Sequence, residues 1–335
     1  MEWIAQADTQ LAVSIRTPFL LVRMLKKKKQ PVGPAHVALG NNRAMVLQRA
    51  RACLHVWEKQ KAPLLKNGAF SGEARIYALM AQMVLDKRGR ICKSDIETTL
   101  AHYAAYGALT LQEAMLVRPA VELALFELLR LALQEDEKDG QEQKTARFFA
   151  RKLEGKHAGG WLQTALFYAR HGGLAFAHYL QQEAKRCPPH IYSQACDNTA
   201  LPLGTSAQQI GDLYAEQRQA RQELVHHIVQ SLQGLAQQTQ TTWLTLASPA
   251  AALLWQETDF TLQDEATQAR LYVQIASMAQ KSGHSERTVV RTAQRLCVQY
   301  GCPFCHLFFG EQQKMLYDRL HLRMRASHTK RYKWL

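Results

Sequence analysis

Apolar residues recur along most of the chain at the three- and four-residue spacing of amphipathic helices. Val46, Ala50, Cys53 and Trp57 line one face of a helix, and residues 71–86 repeat the pattern. Few segments alternate apolar and polar residues with the period of two that half-buried strands require. The sequence therefore predicts an all-α protein, an irregular bundle of about ten to twelve helices in one or two sub-bundles.

Local signals place several helix ends. Gly89 can adopt the left-handed conformation that ends a helix. Residues 94–97 (Ser-Asp-Ile-Glu) and 110–113 (Thr-Leu-Gln-Glu) have the spacing of a capping box, in which a hydroxyl and a carboxylate satisfy each other's backbone amides. Pro119 interrupts the apolar run that follows, so we expect a break or a kink just before it.

These elements divide the chain into five predicted segments. They are a basic N-terminal segment 1–42, a helical sub-bundle 43–134, an acidic linker 135–146, a second helical sub-bundle 147–325 and a basic tail 326–335. The linker is predicted to be solvated because polar and charged residues replace the apolar period there.

The charge is concentrated at the two ends of the chain. Residues 1–49 and 312–335 each carry an excess of six positive charges, so only +2 of the formal net charge of +14 remains for the middle. Basic ends of this kind can contact anionic lipid, nucleic acid or an acidic partner, although terminal lysines also serve simply to keep the ends solvated. The seven scattered cysteines and the absence of a secretory signal or a long apolar run indicate a cytoplasmic protein with free thiols.

No motif for catalysis, a cofactor or a metal stands out. The glycine-rich nucleotide loops, the G-x-S-x-G elbow and the His-Glu-x-x-His zinc motif are all missing from the sequence. The adjacent His226 and His227 would point about 100° apart on a helix, so they cannot easily share an ion. Glu122 and Glu127 lie in an apolar helix, but carboxylates there cannot be told from a solvated helix face. We expect no catalytic, cofactor-binding or metal-binding residue.

Cys302 and Cys305 form a C-x-x-C motif that is followed by His306. Such a thiol pair forms a small disulfide or supplies two zinc ligands in other proteins. A glutaredoxin-like site would need a strand and a βαβ fold around it, and zinc would need further ligands, of which only Cys297 and His306 are near. A packed turn between helices is the preferred interpretation, and the pair remains a candidate site.

Residues 276–296 have the pattern of a helix-turn-helix. A small residue, Ala279, lies four positions before Gly283, and apolar Val289 lies six positions after it. In this interpretation Ser285 caps the second helix, and Arg287 and Arg291 face the duplex. The candidate nucleic-acid-binding residues are Ser285, Arg287, Thr288 and Arg291. Two packed helices joined by a short turn need the same residue types without any DNA, so the pattern leaves both alternatives open.

Two groups of motifs resemble the N-terminal region of bacterial cyclic β-1,2-glucan synthases. The first comprises residues 74–79 (Ala-Arg-Ile-Tyr-Ala-Leu), 109–113 (Leu-Thr-Leu-Gln-Glu), Pro119 and 123–127 (Leu-Ala-Leu-Phe-Glu). The second comprises residues 203–206 (Leu-Gly-Thr-Ser), 264–270 (Asp-Glu-Ala-Thr-Gln-Ala-Arg) and 282–286 (Ser-Gly-His-Ser-Glu). The order and spacing agree over residues 45–310. The chain departs from the family at Gln268 and Ala269, which replace Arg-Asp, at Leu271, which replaces tyrosine, and at Pro119, which is displaced by one residue.

The resemblance implies a helical region that carries no active site. The family's enzymes are large inner-membrane proteins that build cyclic glucans from UDP-glucose, and their glycosyltransferase, membrane-spanning and phosphorylase-like parts have no counterpart in this sequence. We therefore expect an accessory or regulatory module that partners a membrane glycosyltransferase subunit or domain, cytoplasmic or peripheral on the inner membrane through its basic termini. The alternative is a basic DNA-binding protein that uses residues 276–296. An unrecognised enzyme is the third hypothesis.

Overall fold

The computed structural model describes residues 17–26, 33–59, 65, 72–155, 158–200, 203–238, 241–310 and 312–321. Over these residues it contains 17 α-helices, one short 3-10 helix and no β-strand, so the all-α prediction is confirmed. The helices outnumber the predicted ten to twelve because several, such as Thr258–Thr261, are only 4 to 6 residues long. Elements that short give no periodic signal in a sequence. The basic residues 27–29 and the tail 326–335 lie outside the described residues.

The helices follow one another in chain order with short connections. They are α1 Thr17–Lys26, α2 Pro34–Leu39, α3 Arg43–Lys59, α4 Arg75–Asp86, α5 Lys93–Ala104, α6 Leu111–Met115, α7 Val117–Leu153, α8 Ala158–Ala184, α9 Pro189–Ala200, α10 Ala207–Ala236, α11 Thr241–Ala247, α12 Pro249–Leu254, α13 Thr258–Thr261, α14 Glu265–Ser282, α15 Glu286–Tyr300, α16 His306–Phe309 and α17 Gln313–Arg319. The 3-10 helix, Gly40–Asn42, links α2 to α3.

The chain folds into two compact units, each assembled from separated segments. Unit 1 comprises Met1–His55, Val84–Ile91 and Glu122–Gly234, and unit 2 comprises Val56–Met83, Cys92–Val121 and Leu235–Leu335. This division differs from the consecutive sub-bundles 43–134 and 147–325 that the sequence suggested. Within the described residues, none of the helices has both the length and the apolar character that a membrane span needs.

The acidic stretch 135–146 is not a linker, and that prediction was wrong. It continues α7 without interruption, and Asp136, Asp139 and Glu142 are buried. These positions recur at helical spacing with Ala146, so this part of α7 has an inward face made largely of carboxylates. Unit 1 therefore has a charged section in its interior, beside an apolar core in which Phe149, Phe176 and their neighbours on α8 and α9 pack together.

Helix ends in unit 2 and at α7 follow most of the local signals. Thr110 accepts a hydrogen bond from the Glu113 amide and Glu113 returns one to Thr110, so the second capping box is confirmed. A break also precedes Pro119, because α6 ends at Met115 and Pro119 lies in the first turn of α7, where an amide hydrogen has no helical partner.

The first capping box was placed two residues too late. The residue that caps α5 is Cys92, and Asp95 accepts the hydrogen bond from the Cys92 amide at 2.9 Å. Ser94 lies inside the first turn instead, and its hydroxyl contacts the Cys92 thiol at 3.0 Å. At the end of α4, Gly89 has a φ of 75°, the left-handed conformation that was predicted for it.

Candidate functional site

Helices α14 and α15 of unit 2 form the predicted helix-turn-helix. Asp264 begins α14 by accepting a hydrogen bond from the Thr267 amide at 2.7 Å, and α14 ends at Gly283, whose φ is 69°. Ser285 has an extended backbone and accepts from the Thr288 amide at 3.1 Å. The prediction that Ser285 caps the second helix is therefore confirmed.

Helix α15 has one buried face and one exposed basic face. Its buried residues are Val289, Val290, Ala293 and Leu296, which contact α12, α14 and α17. Arg287, Thr288 and Arg291, which the sequence singled out, are all exposed on the other face, as is Arg295. The sequence analysis missed Arg295, although its four-residue spacing from Arg291 was a signal that could have found it.

A cleft lies at the N-terminal end of α15. It has a volume of about 570 Å³, and its polar lining is formed by Thr110, Ser248, Gln280, His284, Ser285, Glu286 and Arg287. The Leu111 amide donates a hydrogen bond to Glu286 at 2.8 Å. Burial raises the pKa of Glu286, the Leu111 hydrogen bond opposes that rise, and the nearby carboxylate of Glu113 adds to it.

Glu113 links this cleft to α4. The Arg75 Nε donates to one oxygen of the fully buried Glu113 carboxylate at 2.8 Å, and an Arg75 terminal nitrogen donates to the other at 2.5 Å. The hydrogen bonds to Glu113 raise the pKa of Arg75 further, although burial opposes the rise. Arg75, Glu113 and Glu286 come from three separate segments of the chain, 74–79, 109–113 and 282–286, and the fold of unit 2 brings them together.

A second buried charge cluster lies in unit 1. An Arg221 terminal nitrogen on α10 donates to Asp136 at 3.0 Å and to Asp139 at 2.8 Å, and the Arg221 side chain is 2% exposed. The His36 amide donates to Asp136 at 3.1 Å. Burial alone would raise the pKa of Asp136, but the hydrogen bonds from His36 and Arg221 outweigh burial and hold it below its usual range.

Tyr214 extends the cluster toward α8. Its hydroxyl contacts Asp139 at 3.1 Å and the Tyr179 hydroxyl at 2.9 Å. Burial, followed by these contacts, raises the pKa of Tyr214, so the phenol stays protonated and acts as a donor. Gly33 packs directly on Asp136, because a Cβ at position 33 would lie 2.3 Å from the Asp136 carboxyl carbon. This cluster joins α2, α7, α8 and α10 rather than opening to solvent.

Two of the other buried carboxylates of α7, Glu122 and Glu127, are also paired. Glu122 forms an ion pair with Arg49 of α3, and Glu127 accepts from Arg130 at 2.6 Å and from the Thr17 hydroxyl at 2.9 Å. A solvated helix face was one interpretation of these glutamates, and the structure places both in the interior of unit 1. Each of these carboxylates is held by an arginine, which is the arrangement that stabilises a charge inside a fold.

Cys302 and Cys305 lie in the turn between α15 and α16, and both are buried. The Cys305 amide donates to Asp259 at 2.7 Å, while the thiol that hydrogen-bonds to Cys302 is that of Cys297. Burial is the main cause that raises the pKa of Cys297 and of Cys305 to about 12. The thiols of Cys297 and Cys305 are therefore protonated and poorly nucleophilic at neutral pH.

Over the part of the chain that the structure describes, no group of three or more His, Cys, Asp or Glu residues is arranged to hold a metal ion. His226 instead forms a hydrogen bond with Gln230, one turn further along α10, at 2.8 Å. No protein-family model matches the sequence, and no curated protein matches it either.

Proposed function

We propose that this chain is a non-catalytic helical module that supports a membrane glycosyltransferase of the cyclic β-1,2-glucan synthase type. The observation that carries the proposal is the convergence of Arg75, Glu113 and Glu286 in unit 2. These residues come from three segments, 74–79, 109–113 and 282–286, that resemble the same family in order and spacing. If residues in the resembling segments also form the buried contacts of unit 2, this supports the inference that the chain and the family share a helical scaffold.

A supporting rather than catalytic role is favoured by the state of the buried carboxylates. Among the described residues, arginines bind five of the six buried carboxylates within their own units, and Glu142 is the sixth. The five are Glu113, Glu122, Glu127, Asp136 and Asp139. A general acid or base must reach a substrate proton and have a pKa near the working pH. Carboxylates that are bound by arginines and directed into the fold cannot reach a substrate, which suits a scaffold.

The proposal is tested by affinity purification of the tagged full chain from detergent-solubilised membranes of its source organism. The expected result is recovery of a polytopic glycosyltransferase that uses UDP-glucose. Two matched variants sharpen the experiment. Arg75→Gln breaks the buried pair with Glu113 and is expected to reduce recovery, whereas Arg90→Gln alters an exposed arginine and is expected to leave recovery unchanged. Recovery of no glycosyltransferase by the folded wild-type chain would refute the proposal.

DNA binding through residues 276–296 is the second candidate function. The observation in its favour is that Ser285, Arg287, Thr288 and Arg291 are all exposed at the start of α15, where a recognition helix contacts base edges. Binding of this kind must weaken steeply as salt rises, since phosphate contacts release counterions. Fluorescence anisotropy with a labelled duplex tests it, and no complex in low salt would remove this candidate.

A further inference from the structure

Three arginines form a row along the exposed face of α15. Arg287, Arg291 and Arg295 are four residues apart, so each lies about 6 Å further along the helix axis and about 40° around it. All three are exposed, and none forms an ion pair with any described residue. We call these three residues the arginine row.

Two carboxylates lie at the edge of this face. Glu257, which precedes α13, accepts a hydrogen bond from the Gln294 side chain of α15 at 2.7 Å. The single acidic residue of α15 is Glu286, and it is half-buried, with its carboxylate accepting from the Leu111 amide. Near the C-terminal end of α15 the same face carries Val298, which is 88% exposed, whereas Tyr300 lies about 180° around the helix from Arg291. The exposed face of α15 therefore combines three positive charges with one exposed apolar side chain.

We propose that the arginine row is a docking surface for the anionic phospholipid headgroups of a membrane, with α15 lying parallel to the bilayer plane. Guanidinium groups bind phosphate oxygens through two parallel hydrogen bonds, and an anionic leaflet attracts basic residues near its surface. The exposed Val298 side chain, on the same face as the arginines, can be buried at the boundary between headgroups and acyl chains. This inference goes beyond the proposed function and stands on α15 alone, without any glycosyltransferase.

Rigidity favours this surface over a flexible basic segment. The opposite face of α15 is packed through Val289, Val290, Ala293 and Leu296, so the helix that carries the arginines is already ordered. Binding then costs only the ordering of the arginine side chains, not the folding of a helix on the membrane.

Two observations favour a membrane over a DNA duplex. The first helix of a helix-turn-helix crosses the phosphate backbone, but α14 begins with Asp264 and Glu265, both exposed and both repelled by phosphate. The second observation is the exposed Val298 on the same face, which a phosphate backbone would not contact and a lipid interface would bury.

The test is co-sedimentation of the purified full chain with vesicles, in low and in high salt. One set of vesicles is phosphatidylcholine alone, and the other contains phosphatidylcholine and phosphatidylglycerol in a roughly three-to-one ratio. The variant that tests the row is Arg287→Gln/Arg291→Gln/Arg295→Gln. Its matched control is Arg51→Gln/Lys144→Gln/Lys185→Gln, which removes the same charge from three exposed positions of unit 1. Thermal melts establish that both variants are folded.

The wild-type chain is expected to bind the phosphatidylglycerol vesicles in low salt and to be released by high salt. A basic residue near an anionic surface contributes roughly fivefold in affinity, so the row variant should bind on the order of a hundredfold more weakly. The control should change by only a few-fold. Vesicle binding does not depend on recovering a glycosyltransferase, so this result and that of the affinity purification are distinguishable.

Three outcomes would overturn the inference. The first is that the wild-type chain sediments with neither kind of vesicle. Both variants could lose affinity equally, which would mean that net charge rather than the arginine row drives binding. Finally, the row variant could keep its affinity for vesicles while losing affinity for a labelled duplex, which would assign the row to DNA.

Discussion

Replacing Arg221 by methionine should destabilise unit 1 strongly. Arg221 is the shared cation for Asp136 and Asp139, and its side chain is 2% exposed. Methionine fills a similar volume with apolar atoms but leaves two buried carboxylates without their counter-charge. Removing one partner of a buried ion pair costs about 3–5 kcal/mol, which is a large share of the stability of an ordinary domain. We therefore expect the free energy of unfolding of Arg221→Met to fall by about that amount at neutral pH.

The loss should depend on pH in a defined direction. In the wild-type protein the pKa of Asp136 lies below its ordinary value, so its stabilising contribution is fully present above about pH 4 and is lost as the pH falls through the folded-state pKa. In Arg221→Met, burial without the arginine should raise the pKa of Asp136 above its unfolded-state value, so the folded state loses stability as the rising pH ionises this carboxyl group. The difference in unfolding free energy should therefore widen as the pH rises from about 5 to about 7.

Chemical denaturation followed by circular dichroism at both pH values measures this difference. The control is Arg218→Met, the same change three residues earlier on α10, where the exposed Arg218 lies 5.8 Å from the centre of the Tyr214 ring. The control should lose less than about 1 kcal/mol. The triple variant Arg221→Met/Asp136→Asn/Asp139→Asn should regain part of the stability, because it removes the uncompensated charges. A loss in Arg221→Met no greater than in Arg218→Met would refute the reasoning.

Three further predictions follow from the structure. Glu113→Gln should lower the free energy of unfolding by about 2–3 kcal/mol, because it weakens the ion pair with Arg75. Its control, Glu97→Gln, affects the exposed pair with Lys93 and should lower it by at most about 0.5 kcal/mol. Equal losses in chemical denaturation would contradict this prediction. Ser285→Ala removes the N-cap of α15 and should lower the free energy of unfolding by about 1 kcal/mol. Ser94→Ala should lower it less, because Ser94 does not cap α5. The reverse order of stability in thermal melts would contradict this assignment. In the native protein a maleimide should modify the exposed Cys92 and leave Cys302 and Cys305 unmodified until denaturant is added. If mass spectrometry finds Cys302 or Cys305 modified under native conditions, that result would contradict their burial.

The sequence alone was sufficient wherever a signal is local. The α14–α15 pair, its Ser285 cap and the break before Pro119 each depend on residues within a few positions of one another, and all three predictions are confirmed. The error at Ser94 is of the same local kind. Cys92 and Asp95 satisfy the first-turn amides equally well, and cysteine is not among the residues that usually cap a helix.

The acidic linker prediction failed because a buried carboxylate counts as polar in any periodicity analysis. Asp136, Asp139 and Glu142 occupy inward positions of α7, but only their partners make such positions tolerable. Arg221 is 85 residues from Asp136 along the chain, so no local pattern connects them. The Glu127–Arg130 pair, by contrast, lies one turn apart on the same helix and was within reach of a sequence argument.

The arginine row occupies an intermediate position between these two cases. Its spacing is visible in the sequence, since arginine recurs at every fourth residue from 287 to 295. Spacing alone does not distinguish a row that faces solvent from one that is neutralised inside a fold, as Arg75 and Arg221 are. The distinction depends on which side of α15 is packed, and that is set by Val289, Val290, Ala293 and Leu296. Because that apolar stripe faces α12 and α14, the arginines must face outward, and the same contacts that bury the stripe fix the positive charges in place for an anionic surface.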